Sequence, residues 1–157
     1  MFFADRVRAF ANIGRATRAG GRMTFVCWQT LDRNPWMGSA TSVVRSLLAD
    51  PPPLVASGAG PFAFGDASFV EGVLTGAGWQ SIDLVSFDTV ARMGGDGGVE
   101  GAVHHALSSS AVKAMLAPVD ADVRERAADI LRVQYAEVAV NGVVQFPAAA
   151  WLVSARV

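Results

Sequence analysis

The sequence predicts an α/β fold, and three stretches carry that prediction. Gly20-Gly21 stops an amphipathic helix, and Met23 to Trp28 then runs almost wholly apolar. A helix ended by glycine and followed by a short buried strand is half of a βαβ unit. Such a strand is covered on both faces by helices and so need not alternate. A second helix ends at Gly76 and Gly78, and Trp79 to Asp88 reads as the next strand. A last strand, Ala149 to Ala155, alternates Trp151 and Val153 with Leu152 and Ser154.

The elements follow in order. Asp5 is a good N-cap for a helix from Arg6 to Arg18, with Ala9, Phe10, Ile13 and Ala16 as its apolar stripe. Its arginines suit the helix dipole in the last turn, and its basic face reads as solvated rather than phosphate-binding. After the strand, Gln29 to Trp36 is a loop broken at Asn34-Pro35. Pro35 opens a helix through Leu48, on which Trp36, Ala40, Val43, Val44 and Leu47 share a face. Pro51-Pro52-Pro53 forbids helix, and Gly58 to Gly65 is irregular. Asp66 or Ser68 caps the next helix. Ser68 and Glu71 have the spacing of a capping box, and Phe69, Val70, Val73, Leu74 and Ala77 make its inner face.

Gly94 to Gly98 reads as a hinge before a helical stretch from Val99 to Leu116, broken near the serines at 108 to 110. Asp120 or Asp122 caps a helix to Glu137, with Val123, Ala127, Ile130, Leu131 and Tyr135 inward. Asn141-Gly142 signals a tight turn or short hairpin, and Pro147 should block its second arm. A separate final strand would then start at Ala149.

The bulk numbers bound the function. A chain of 157 residues fits one domain, and 52% hydrophobic against 17% charged residues supplies a packed core. A formal net charge of −1 gives no reason to expect a nucleic acid or an anionic membrane as partner. Lys113 is the one lysine among thirteen basic residues, a compositional bias rather than an arginine site. The single Cys27 excludes an intrachain disulfide and a multi-cysteine metal site, which fits a reducing, cytoplasmic setting. Asp5 and Arg6 interrupt Met1-Phe-Phe-Ala before a signal sequence can form.

With the elements in order, six stretches stand out. They are Met1-Phe-Phe-Ala-Asp5, Arg18-Ala-Gly-Gly-Arg-Met-Thr-Phe-Val-Cys-Trp28, Asn34-Pro-Trp36, Gly60-Pro-Phe-Ala-Phe-Gly-Asp66, Ala77-Gly-Trp79 and Pro147-Ala-Ala-Ala-Trp-Leu-Val153. Spread over nearly the whole chain, they resemble the C-terminal half of a class I S-adenosylmethionine-dependent methyltransferase of the small-molecule, ubiquinone-methyltransferase-like kind. The resemblance implies a partial Rossmann-like sheet: Met23–Trp28 as the family's fifth strand and Trp79–Asp88 as its sixth. Ala149–Ala155 would be the seventh, inserted antiparallel between them. The segments after the fifth and sixth strands would be helical insertions that roof an acceptor pocket.

The family's first four strands are absent from this sequence. With them go the Gly-rich turn, the acidic residue that holds the ribose and the contacts to the sulfonium. Residues 1–157 are therefore read as a single partial domain, from a truncated gene, a misplaced start or a split protein. Gly94 to Gly98 lacks both the GxGxxG spacing and a Lys-Ser/Thr pair, so it replaces none of this. The cofactor-binding residues are unknown, and S-adenosylmethionine is not expected to bind this chain tightly. The resemblance places Phe2, Phe3, Trp28, Trp36 and Phe64 along the substrate pocket; Phe62 reads as core.

Methyl transfer asks a protein for proximity, orientation and desolvation. No catalytic residue follows from the sequence. His104 and His105 are adjacent, point about 100° apart on a helix and cannot act as an i, i+4 metal pair. They read as structural, although a base for the acceptor would most naturally be one of them. Cys27 packs as a small hydrophobe, and Asp5 is a cap rather than an acid. No metal site is expected.

The favoured function is the C-terminal part of a methyltransferase for a small organic acceptor, inactive alone. The alternative is a non-catalytic remnant or interaction module that self-associates through an exposed sheet edge. An apolar-ligand binder built from the roofing helices has less support. The expected partners are a small-molecule acceptor, and either a second copy in a homodimer or the missing N-terminal half.

Overall fold

A computed structural model describes residues 2–53 and 60–157. In order, the elements are α1 (Arg6–Ala16), β1 (Arg22–Trp28), α2 (Pro35–Leu47), α3 (Ala67–Gly76), β2 (Gln80–Met93), α4 (Gly98–Ser108), α5 (Ser110–Leu116), α6 (Ala121–Glu137), β3 (Ala139–Val140) and β4 (Val143–Arg156). Short 3-10 turns lie at Leu31–Arg33, Gly60–Phe62 and Gly95–Gly97. The fold class is α/β. The sheet runs β1-β4-β2, with β3 added on β4. β4 is antiparallel to β1, with Phe25 opposite Val153 and Val26 opposite Leu152. The last strand thus lies between β1 and β2, the order that the family resemblance implied.

The described residues group into two compact units. The first holds residues 2–34, 60–89 and 149–157. Here α1 and α3 pack on one face of β1 and β4. Phe10, Cys27, Phe64, Val70, Leu74, Trp79 and Val153 form the core. Asp5 caps α1 by accepting from the Arg8 N–H at 2.9 Å. The Trp79 indole lies beside Gly14, and its Nε1 donates to the Phe10 carbonyl at 3.0 Å. On the other face of the sheet Val26 and Leu152 lie opposite each other, 58% and 38% exposed.

The second unit holds residues 35–53 and 90–148. Its core is helical: Ala40, Val43 and Val44 of α2, Ala102, Val103 and Ala106 of α4, Val112 and Leu116 of α5, and Ala127, Leu131 and Tyr135 of α6. The Tyr135 hydroxyl is 2.9 Å from Ser39 Oγ, which satisfies it in the interior. Arg124 donates to the Leu116 and Ala117 carbonyls at 3.1 Å each, closing the end of α5.

Four local expectations change. Asp66, not Ser68, caps α3, because its carboxylate accepts from the Phe69 N–H at 2.7 Å; Ser68 is inside the helix and no capping box forms. Phe69 is 41% exposed rather than inward, with the Arg6 guanidinium over its ring at 5.6 Å. β2 starts after Trp79, which is a buried core residue, and it extends to Met93. β4 runs through Pro147 as one strand from Val143. That position falls in the gap between the pairing with β3, at Val143 and Val144, and the pairing with β1, which begins at Ala150. A missing N–H breaks no ladder bond on that side. Asn141 and Gly142 take positive φ of 51° and 78°, so the hairpin turn forms as its residues require. The break between α4 and α5 falls at Ser109, within the predicted serine run. The irregular segment predicted from Gly58 lies partly outside the described residues.

Candidate functional site

In an α/β sheet, ligand sites gather where a strand ends and its loop begins. The C-terminal end of β1 is such a place, and it is built largely from polar groups. Asn34 is fully buried. Its Nδ2 donates to the Ala149 carbonyl at 2.9 Å and to the Thr30 carbonyl at 3.1 Å, and its Oδ1 accepts from the Ala149 N–H at 3.1 Å. Gln29 is 5% exposed, and its Nε2 donates to Ser86 Oγ at 2.8 Å and to the Ala150 carbonyl at 3.1 Å. Its own N–H pairs with the Ala149 carbonyl at 3.0 Å. The loop after β1 is thereby pinned to β4 through two side-chain amides.

Gly65 passes directly over this loop. A Cβ there would lie 2.9 Å from the Thr30 nitrogen, so only glycine permits the approach. The Gly65 carbonyl accepts from Trp151 Nε1 at 2.8 Å. At the rim, Arg33 pairs with Asp88 at 2.6 Å. Thr30 hydrogen-bonds the exposed Asp32 carboxylate, and this, ahead of backbone donors and Arg33, lowers its pKa.

Phe2 and Phe3 precede α1 and are 78% and 52% exposed. Trp28 is half-buried at the end of β1. Phe64 is 2% exposed, with its ring centroid 5.8 Å from Phe10, 6.4 Å from Phe25 and 6.1 Å from Phe69. It therefore presents almost no surface of its own. Trp36 is half-buried on α2, in the second unit. The amides Gln29 and Asn34, with Ser86, are the site groups that sequence reasoning missed. The available signal was an Asn before Pro35 at a helix start, which reads as a cap as readily as a buried anchor.

Cys27 is buried, which pushes its thiol up to about 11. A thiol protonated at neutral pH is a poor nucleophile. Its Sγ faces the Phe64 carbonyl at 3.8 Å. His104 and His105 are both exposed on α4. Among the described residues no three His, Cys, Asp or Glu side chains gather as metal ligands, and no helix is long and apolar enough to cross a membrane.

Residues 94–98 join β2 to α4 and are packed closed against that helix. A Cβ on Gly94 would stand 2.1 Å from the Gly98 carbonyl oxygen and 2.7 Å from the Ala102 nitrogen. The space beside Gly94 is thus filled by the start of α4, and its φ of 89° serves the chain's own turn. Residues 94–98 therefore offer no open cradle for S-adenosylmethionine.

No family model matches the chain, and no curated protein matches it. Among solved structures it aligns with a provisionally identified methyltransferase from Bacillus halodurans at 14% identity and a TM-score of 0.43. The alignment covers 99% of this chain and 66% of that one, so the chain spans just under two thirds of that neighbour's length.

Proposed function

We propose that this chain is the C-terminal part of a class I S-adenosylmethionine-dependent methyltransferase acting on a small organic acceptor. One observation carries the reading. The last strand, β4, enters antiparallel to β1 and lies between β1 and β2, and the Gly-Gly-Arg and Pro-Phe-Ala-Phe-Gly-Asp stretches resemble the family's at the matching places. In that order the family's fourth strand belongs beside β1, on the edge away from β4.

The division of labour follows from the chemistry. The cofactor carries the reactive methyl, and the missing strands supply its binding groups. This chain contributes the loop after β1, held by Asn34 and Gln29, and the aromatics Phe2, Phe3 and Trp28 as acceptor-lining groups; Trp36 is assigned to the acceptor by the family resemblance alone. A mostly apolar wall with a few fixed polar groups suits a small organic acceptor.

The test is reconstitution. The first four strands of a class I methyltransferase, with their Gly-rich turn, are fused ahead of Met1. The expected result is micromolar binding of S-adenosylhomocysteine by a folded monomer. A fusion that folds cooperatively but binds none would overturn the reading.

A further inference from the structure

We propose that the cavity between α4, α5 and α6 binds an apolar carboxylate, a short acyl chain whose head group meets Lys113 and Arg124. The inference is independent of the transferase reading.

Breaks in the helical stretch build the cavity. Ser109 is extended, with φ −62° and ψ 144°, and stops α4. The next helix, α5, runs for only seven residues before the chain turns into α6. Between the three helices lies a cavity of about 290 Å3, open on one side. It is lined by Leu107 of α4, Lys113 and Leu116 of α5, Ala117, and Arg124 of α6. Leu116 is buried and Leu107 is half-buried, so the floor is apolar. Lys113, Ala117 and Arg124 are exposed at the mouth.

Size and charge select the ligand. A volume of about 290 Å3 lies at the lower bound of small-molecule sites and suits one short chain. Arg124 Nε donates to the Leu116 carbonyl and Nη2 to the Ala117 carbonyl, at 3.1 Å each. These bonds fix one side of the guanidinium and leave Nη1 to an anion. An arginine already held in place loses little further freedom when it binds, and its planar fork matches a carboxylate. Lys113 adds a second positive charge on a flexible stem. Among the described residues neither side chain has a carboxylate partner. An apolar floor beneath two unpaired positive charges complements a molecule with an apolar chain and one anionic end.

Titration of the isotope-labelled full chain with sodium octanoate, followed by amide chemical shifts, tests the inference. The expected result is saturable shifts centred on Leu107, Lys113, Leu116 and Ala117, with a dissociation constant of about 1 mM or tighter. Octanol has the same chain without the charge and should give little or no saturation at the same concentrations. Lys113→Glu changes an exposed side chain, so it should keep the rest of the spectrum and weaken octanoate about tenfold. The octanol comparison uses the unaltered chain, so it decides the need for charge even where that variant fails to fold. Shifts that do not saturate, or that centre elsewhere, would overturn the inference. Equal binding of octanol, or unchanged octanoate binding by folded Lys113→Glu, would overturn it as well.

Discussion

Replacing Asn34 by Ala probes how the loop after β1 is held. Three close hydrogen bonds disappear, Nδ2 to the Ala149 and Thr30 carbonyls and the Ala149 N–H to Oδ1, together with a long one from Nδ2 to the Gln29 carbonyl at 3.4 Å. The Ala149 carbonyl keeps the Gln29 N–H as a partner, so its loss is partial. The Ala149 N–H loses its acceptor, at a burial where water cannot replace it. An orphaned buried donor costs about 1–3 kcal/mol, and each further bond contributes about 1 kcal/mol net. The sum is about 3–5 kcal/mol, a large share of the usual ~5–15 kcal/mol stability of a domain. Urea unfolding followed by tryptophan fluorescence measures it. Asn34→Asp should lose less at low pH than at neutral pH, because a protonated carboxyl restores one donor and a carboxylate faces carbonyl oxygens. A loss below about 1 kcal/mol for Asn34→Ala would refute the claim that this amide anchors the loop.

Other predictions extend the account. Burial raises the Cys27 pKa from 9.0 to about 11, so the thiol's contribution is complete below pH 9 and is lost as pH rises toward 11. That loss is about 2–3 kcal/mol, and Cys27→Ala should remove it from the pH dependence of unfolding. Tyr135 is also raised by burial, so it should add a further alkaline loss, absent in Tyr135→Phe. Gly94→Ala should cost more than about 2 kcal/mol by thermal unfolding, since its φ of 89° and its contacts with Gly98 and Ala102 leave no room for a Cβ. Gly72→Ala, in open space on α3, should instead stabilise by about 0.5–1 kcal/mol.

The fold was legible where local chemistry and periodicity agree. Glycines after α1 and α3, Asp5 as a cap and the Asn141-Gly142 turn each have a short-range cause, and their places follow from the residues nearby. Errors arose where tertiary contacts decide. Pro147 is tolerated because β4 changes partners around it, which no local window shows. Trp79 lies in the core, ahead of the strand, where its indole N–H meets the Phe10 carbonyl. Ser68 and Glu71 have capping-box spacing, yet Asp66, two residues earlier, caps the helix through the Phe69 N–H and leaves Ser68 inside it. The site was less legible. Asn34 and Gln29 act on β4 from more than a hundred residues away in sequence, so their role is visible only once β4 lies beside β1.

The measurement that bears most directly on the central claim is calorimetric titration of the 157-residue chain itself with S-adenosylhomocysteine. The account predicts no binding heat at millimolar ligand, because the proposed reading assigns the groups that hold the cofactor to the N-terminal half of the family's fold. Micromolar binding by the folded chain would contradict it and would mean that a cofactor site exists within these residues.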